Sequence, residues 1–95
     1  MACVVVARLK AKKGEEDRIR KVLGEISVQT RREQGNISFE VQVSEDDSSL
    51  FLVYEKYNKR EDHDFHKNTQ HYRELIVDYA AQYFESRDVE FFHSI

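Results

Sequence analysis

The 95-residue chain contains one cysteine, three glycines, no proline and no tryptophan. Because Cys3 has no partner cysteine, no disulfide can form within the chain, and stability must come from a hydrophobic core or a partner subunit. The glycines Gly14, Gly24 and Gly35 are too far apart to build a phosphate-binding loop, and no flavin or nicotinamide motif is present. The sequence therefore offers no recognisable motif for a flavin, a nicotinamide or another phosphate-bearing cofactor.

Long apolar runs and one-sided charge are also lacking. No stretch approaches the roughly 20 apolar residues that a membrane-spanning helix requires. MACVVVARLK has neither the basic leader nor the cleavage motif of a signal peptide. The 15 basic and 18 acidic side chains give a formal net charge of -3 and are interspersed, which argues against a nucleic-acid partner. We therefore expect a cytoplasmic protein with no membrane and no nucleic-acid partner.

The composition that remains is that of a small folded domain. Charged residues make up 35% of the chain, but hydrophobic residues make up 40% and include five Tyr and six Phe, which argues against disorder. A chain of this length forms one domain, predicted to span residues 1–95, and buries only about two thirds of its unfolded surface.

The order of apolar patterns predicts β-α-β-β-α-β. Short β-branched or alternating segments indicate four strands, namely CVVVARLKA (3–11), NISFEVQV (36–43), LFLVYEKY (50–57) and RDVEFFHSI (87–95). This is the ferredoxin-like pattern, an antiparallel four-stranded sheet with both helices on one face.

The first helix is predicted between Gly14 and Gly35. Its apolar residues recur at helical spacing, at Ile19, Val22, Leu23 and Ile26. Acidic residues lie near its start and Arg31 and Arg32 near its end, as the helix dipole favours. Gly35 is the expected left-handed stop.

The second helix is predicted to begin at Asn58. Asn58 and Glu61 have the spacing of a capping box. An apolar stripe follows, through Phe65, Tyr72, Ile76 and Tyr83. Whether this is one helix or two, broken near Asn68, is left open.

Both faces of the predicted sheet carry apolar residues. In the first strand Val4 and Val6 alternate with Cys3 and Val5, and the third and fourth strands show the same two-sided character. Helices cover only one face, so several hundred Å² of apolar surface would remain, more than monomers usually expose. We therefore predict a homodimer through the sheet faces. The alternative is that loops or the C-terminal residues cover the second face.

Three of the four histidines, His63, His66 and His71, lie within a nine-residue span of the predicted second helix. On the helical projection His66 lies at the margin of the apolar stripe, His71 slightly further away on the other side, and His63 points to solvent. A histidine at such a margin suits general-base catalysis, because imidazole titrates near neutral pH. Glu55, at the end of the third strand, could orient it or bind a substrate hydroxyl. The residues alone fit equally well a histidine that bonds a backbone carbonyl or water.

The sequence predicts no metal site. His63 and His66 are spaced i, i+3, with Asp62 and Asp64 beside them, but the two aspartates lie on different helical faces. No second cluster is visible that would complete the coordination.

The chain resembles the antibiotic biosynthesis monooxygenase family of dimeric α+β barrels. The resemblance runs through VVVARLKAKKGEEDRIRKVL, EQGNISFEV, VYEKY and FHKNTQHY, and so covers nearly the whole chain. The last two segments are the most specific, because five of their residues match the family in order and spacing: Glu55, His66, Thr69, His71 and Tyr72.

The resemblance implies several activities, namely cofactor-independent oxygenation of phenols or quinols, haem degradation, and processing of small carbonyl compounds. Haem degradation is disfavoured, because its characteristic Asn, Trp and His correspond here to Ala7, Tyr57 and Ile76. From the resemblance we expect a monooxygenase that uses no cofactor and acts on a small aromatic diol or quinol-like substrate, with His66 as the base and Glu55 as the orienting or substrate-binding residue. The expected substrate-binding walls are aromatic: Tyr54, Tyr57, Phe39, Tyr72 and Phe91. The alternatives are an isomerase acting on a hydroxy-carbonyl metabolite and a non-catalytic ligand-binding dimer.

Overall fold

The computed structural model describes residues 1–95 and has the predicted element order. The strands are β1 (Cys3–Ala11), β2 (Asn36–Val43), β3 (Leu50–Tyr57) and β4 (Phe84–His93). The α-helices are α1 (Glu16–Thr30), α2 (Arg60–Lys67) and α3 (Gln70–Tyr72), the last continuing as a π-helical turn (Arg73–Val77) and a 3₁₀ turn (Ala80–Tyr83).

The four strands form one antiparallel sheet in the order β2-β3-β1-β4. Strands β1 and β3 lie at the centre of the sheet, and β2 and β4 lie at its edges. The two helical connections, from β1 to β2 and from β3 to β4, lie on the same side of the sheet. This confirms the ferredoxin-like prediction.

The core lies between the helices and one face of the sheet. Val5, Ala7 and Leu9 of β1 face Glu55, Val53 and Phe51 of β3 across the antiparallel register, and all six residues are buried. The apolar stripe of α1 covers this face through Ile19, Val22, Leu23 and Ile26. Because side chains alternate along a strand, the neighbouring residues point to the opposite face.

That opposite face remains apolar and has no cover from this chain. Its apolar side chains are half-buried or exposed: Val4, Val6, Leu50, Leu52, Tyr54 and Phe92. Neither a loop nor the C-terminal residues bury them.

The first helix ends earlier than predicted. It stops at Thr30, and the chain then turns through Arg31 and Arg32 to Asn36. Gly35 does not adopt a left-handed conformation; Gly14 is the glycine with positive φ, at 86°. Gly35 is instead required by a close approach, since a Cβ at this position would overlap the side chain of Asp62 on α2.

The predicted capping box at Asn58 is wrong. Helix α2 begins at Arg60 after an extended Lys59, and no side chain caps it. The backbone N–H of Asn58 instead donates to the carbonyl of Gly35 at 3.0 Å. The same loop-to-loop contact that excludes a Cβ at Gly35 therefore also positions the start of α2.

The second helical region is two helices, broken where the sequence left the question open. Helix α2 ends at Lys67, and Thr69 is extended and accepts from the backbone N–H of Tyr72 at 3.2 Å. Because of the break, the buried face of α2 consists of His63 and His66, and the predicted continuous stripe is wrong at its first position. Phe65 is 63% exposed, whereas Tyr72 and Ile76 are buried.

Two glycine-to-alanine variants should shift stability in opposite directions. G35A places a methyl group against Asp62 and should lower the free energy of unfolding by about 1–3 kcal/mol, as overpacking does. G24A adds its methyl group where nothing lies within 4 Å, and should raise it by about 0.5–1 kcal/mol through better helix propensity. Urea unfolding of both variants measures the difference. Equal effects of the two variants would contradict the close approach at Gly35.

Candidate functional site

His66 is the most enclosed histidine of the chain. It lies on α2, is 2% exposed, and points between the helices and the sheet. Three aromatic rings surround its imidazole, with centroid distances of 5.1 Å to Tyr72, 5.8 Å to Tyr57 and 6.0 Å to Phe39. An imidazole in such an environment is held in one orientation.

Glu33 fixes the direction of the His66 ring. His66 Nδ1 lies 2.8 Å from Glu33 Oε2, and His71 Nε2 lies 2.6 Å from the same oxygen. An ionised carboxylate only accepts hydrogen bonds, so both ring nitrogens donate to it. The neutral His66 ring then carries its proton on Nδ1, and its Nε2 is left as a free acceptor.

Sequence reasoning missed Glu33. The residue lies in the turn after α1, 33 positions before His66. Its nearest sequence neighbours are charged and polar, as in any surface turn, so no local signal distinguishes it. Only the packing of this turn against α2, at the contact between Gly35 and Asp62, brings its carboxylate to the histidines.

Glu55 lies on the helix-facing side of β3, a point that the sequence left open. Its Oε1 accepts from the hydroxyl of Tyr57 at 2.7 Å and lies 3.9 Å from His66 Nε2. The second distance is too long for a hydrogen bond, so His66 Nε2 bonds to no protein atom. Burial raises the pKa of the Glu55 carboxyl, while the bond from Tyr57 and the nearby His66 partly oppose that rise.

Tyr57 is a donor at this site rather than an acid. Burial raises the pKa of its phenol well above the usual range, and the adjacent Glu55 carboxyl raises it further. The phenol therefore stays protonated and keeps its hydrogen bond to Glu55.

The prediction that His63 points to solvent is wrong. The ring is 6% exposed and packs edge-on against Tyr57 at 5.4 Å and Phe91 at 5.2 Å. Because α2 is separate from α3, its buried face is set by its own short axis and consists of His63 and His66. Burial lowers the pKa of His63 to about 4, with the neighbouring His66 as the next contribution.

The structure gathers four of the five predicted wall residues around the two helical histidines. Phe39, Tyr57 and Tyr72 surround His66, and Phe91 stands at the rim against His63, 41% exposed. Tyr54 is not brought to this site. It lies opposite Val6 and Glu40 on the uncovered face of the sheet, because it precedes Glu55 by one residue.

A cleft of about 280 Å³ opens beside His66, between α2 and β4. Sequence reasoning did not anticipate Arg87, which lines it and donates to the Tyr72 hydroxyl at 2.8 Å. An inner pocket of about 30 Å³, large enough for one or two waters, extends from the same residues into the core. The cleft is lined by Val5, Ala7, Glu55, His63, His66, Lys67, Tyr72, Arg87, Val89 and Phe91.

A larger groove lies elsewhere and has different chemistry. It measures about 530 Å³ and runs between α1 and the helical turns that follow α3, with Asp17, Arg18, Lys21 and Glu25 on its sides. It contains no histidine. The smaller cleft is the candidate site, because there a free imidazole nitrogen meets an aromatic wall.

The variant E55Q should stabilise the protein at neutral pH. Glu55 has a raised folded-state pKa, so the stability that its neutral form provides is complete below the unfolded value of 4.5 and is lost as pH rises through the higher folded-state pKa. Glutamine still accepts from Tyr57 but carries no charge. The free energy of unfolding should rise by about 0.5–2 kcal/mol near pH 8, and the gain should shrink near pH 4. Urea unfolding at both pH values measures it, and a variant less stable at both would contradict the assignment.

The architecture and the cleft define the class: a small ferredoxin-like α+β protein with a buried, carboxylate-held histidine beside an aromatic pocket. The family model named antibiotic biosynthesis monooxygenase matches residues 2–77, and the chain belongs to this family. Family membership supports a monooxygenase-like role. No curated protein sequence matches the chain.

Solved structures share the fold over nearly the full chain. A protein from Nitrosomonas europaea, whose name places it provisionally among the antibiotic biosynthesis monooxygenases, is 27% identical and superposes with a TM-score of 0.94, covering 99% of this chain and 90% of its own. A protein from Shewanella oneidensis is also 27% identical, with a TM-score of 0.92 and coverage of 98% and 90%. A protein from Mycobacterium tuberculosis is 21% identical and superposes with a TM-score of 0.92, covering 100% of this chain and 96% of its own. At this identity the similarity shows the fold alone.

None of the helices has the length and apolar character needed to traverse a lipid bilayer.

Proposed function

We propose that this protein is a cofactor-independent monooxygenase acting on a small aromatic diol or quinol-like substrate. The observation that carries the proposal is the state of His66, whose Nδ1 is held by Glu33 while Nε2 bonds to no protein atom beside an aromatic cleft. A base oriented by a third group in this way is the usual arrangement for proton abstraction.

His66 acts first, by taking the proton of a substrate hydroxyl on Nε2. The positive imidazolium that forms is stabilised by Glu33, whose carboxylate already accepts from Nδ1 at 2.8 Å. Since both residues are buried, their interaction is screened little by water. The resulting phenolate is richer in electrons than the phenol.

The phenolate then reacts with O₂ within the cleft. Transfer of one electron to O₂ gives a radical pair, which recombines to a peroxide on a ring carbon. One oxygen atom stays on the ring, and the other leaves as water with protons and electrons drawn from the substrate itself. Exclusion of bulk water by Phe39, Tyr57 and Tyr72 protects these intermediates.

Glu55 and Arg87 are proposed to position the substrate. Glu55 lies 3.9 Å from the proposed base, within reach of a second hydroxyl on the same ring. Arg87 lines the cleft and bonds the Tyr72 hydroxyl, and its positive charge favours an anionic substrate oxygen. The cleft volume of about 280 Å³ favours a small ligand of one or two rings.

Oxygen uptake with a panel of hydroquinones and other phenols tests the proposal. We expect O₂ consumption that depends on enzyme and substrate, with label from ¹⁸O₂ in the organic product. Turnover of a hydroxy-carbonyl compound without O₂ would instead favour the alternative isomerase, which the same base could serve. Binding of these compounds with no turnover would favour a ligand-binding protein.

The active form is proposed to be a homodimer in the cytosol, formed through the uncovered sheet face. That face presents to water an apolar surface larger than monomers usually expose, formed by Val4, Val6, Leu52, Tyr54 and Phe92. Tyr54 belongs to this interface in the proposal, rather than to the substrate wall. A free, buried Cys3 is compatible with the cytosol.

The dimer should dissociate when charge is placed on this face. We expect sedimentation velocity at micromolar concentration to give a dimer for the wild type and a monomer for L52E. The matched variant S48E, at an exposed position in the β2–β3 turn, should remain a dimer. A wild-type monomer under these conditions would remove the proposed interface.

A further inference from the structure

Glu33, His66 and His71 form a compact set of donor atoms that the proposed function uses only in part. One nitrogen of each histidine and one oxygen of Glu33 all lie within 4.8 Å of one another. The three residues come from the turn after α1, from α2 and from α3, so the tertiary fold alone assembles them. His71 has no role in the proposed proton abstraction.

The two imidazoles are aimed at a single point. His66 Nδ1 and His71 Nε2 approach the same oxygen, Glu33 Oε2, at 2.8 and 2.6 Å. The direction in which a ring nitrogen donates a proton is also the direction in which it ligates a metal once that proton is gone. Both nitrogens are therefore already oriented toward a shared centre.

The carboxylate has an unused oxygen. The Glu33 side chain is only 4% exposed, and its Oε1 is buried without a hydrogen-bond partner. Buried polar atoms normally have partners, and an exception often marks a missing ion or water. A carboxylate that ligated an ion could use this oxygen.

We propose that Glu33, His66 and His71 bind a divalent first-row transition-metal ion, with Zn²⁺ or Co²⁺ as the probes. Two imidazoles and one carboxylate suit such ions better than Mg²⁺ or Ca²⁺, which prefer oxygen ligands. Three protein ligands leave positions for water or another small ligand. This proposal differs from the sequence-based expectation of no metal, which rests on His63, His66 and the neighbouring Asp62 and Asp64 and does not include Glu33 or His71.

Little movement is needed to accept the ion. Bonds of about 2.0–2.1 Å in a tetrahedral arrangement place ligand atoms about 3.3 Å apart. The two oxygen–nitrogen distances, 2.8 and 2.6 Å, would lengthen by roughly 0.5–0.7 Å to reach that separation. The partly exposed His71, with 21% of its side chain accessible, can supply most of this adjustment and gives the ion a route from solvent.

An ion at this site would oppose the proposed catalytic step, a consequence that rests on the proposed function. Ligation through Nδ1 moves the His66 proton to Nε2, and an Nε2 that carries a proton cannot accept one from a substrate. Metal binding itself does not depend on any substrate.

Titration of the tag-free apoprotein with Co²⁺, followed by visible absorption and by competition with Zn²⁺, tests the site. We expect saturable binding of one ion per chain and a higher melting temperature with Zn²⁺. H71A should weaken binding by more than the roughly 10- to 100-fold typical of an outer-shell change, and E33Q should do the same. H93A, at an exposed histidine near the end of β4, should bind like the wild type.

Two results would overturn the metal site. One is the absence of saturable Co²⁺ or Zn²⁺ binding by the wild type up to millimolar concentration. The other is wild-type affinity in both H71A and E33Q, with circular dichroism showing both variants folded, since that would place the ion on adventitious surface groups. Because the readout needs no substrate, failure of this site and failure of the proposed oxygenase activity are separate outcomes.

Discussion

Replacing His66 by glutamine should lower kcat for oxygen-dependent turnover of the quinol-like substrate by roughly 10²–10⁴-fold, the usual contribution of a general base. The glutamine side-chain amide can still donate to Glu33, so the buried carboxylate keeps a partner and the local packing is largely preserved. What the variant lacks is an atom that can take a proton. Steady-state oxygen uptake measures the loss.

Two further variants show whether the effect belongs to proton transfer. H93Q changes an exposed histidine outside the cleft and should keep wild-type turnover. E33Q removes the charge that stabilises the imidazolium while keeping an acceptor oxygen, so it should lower kcat more than it raises KM. Its pH–rate profile should also shift relative to the wild type, which a purely structural role would not produce. Unchanged turnover in H66Q would remove His66 from the reaction.

Acid should destabilise the protein through His63, and the variant H63L should relieve this. The folded-state pKa of His63 is lowered to about 4 from an ordinary value of 6.5. The stability contributed by the neutral ring is therefore complete above the unfolded value and is lost as pH falls through the window between the two. The full difference corresponds to at most about 3 kcal/mol.

Leucine has a similar size and no titrating group. The buried Nδ1 of His63 has no hydrogen-bond partner, so removing it should leave no polar group unpaired. We expect H63L to unfold in urea with a smaller decrease in stability between about pH 7 and pH 4 than the wild type. Charged groups near His63, among them Arg60, Asp64 and Lys67, are unchanged in the variant, so the difference isolates one imidazole. Parallel pH dependences in the two proteins would contradict the assignment.

Three histidines on one short segment thus occupy three environments. His63 packs against aromatic rings and stays neutral, His66 lies between a carboxylate and the cleft, and His71 joins the same carboxylate from the partly exposed side. They lie within eight residues of one another along the chain, yet only His66 both bonds to a carboxylate and lines the cleft. Helical periodicity and the family resemblance together indicated His66 as the candidate. The same periodicity assigned His63 to solvent, because it was applied to a continuous helix.

The strands and their order could be predicted because their signal is local. Alternation of apolar residues in NISFEVQV follows from the period of a strand, and the short apolar run of LFLVYEKY is also typical of a strand. The β-α-β-β-α-β order then leaves few ways to build the sheet. The break after Lys67 could not be decided in the same way. The break depends on Thr69, whose backbone is extended and whose hydroxyl caps α3. Helix propensity alone permits either a continuous or a broken helix.

The sequence by itself determined the family, the topology and the presence of a histidine near the core, since these follow from periodicity and motif. Only the tertiary structure decided which groups meet that histidine. Glu33 reaches it because Gly35 allows the turn after α1 to approach α2, and Glu55 faces it because the strand register points it to the helical side. A contact between residues 33 positions apart depends on how elements pack, and packing is a property of the whole chain in three dimensions.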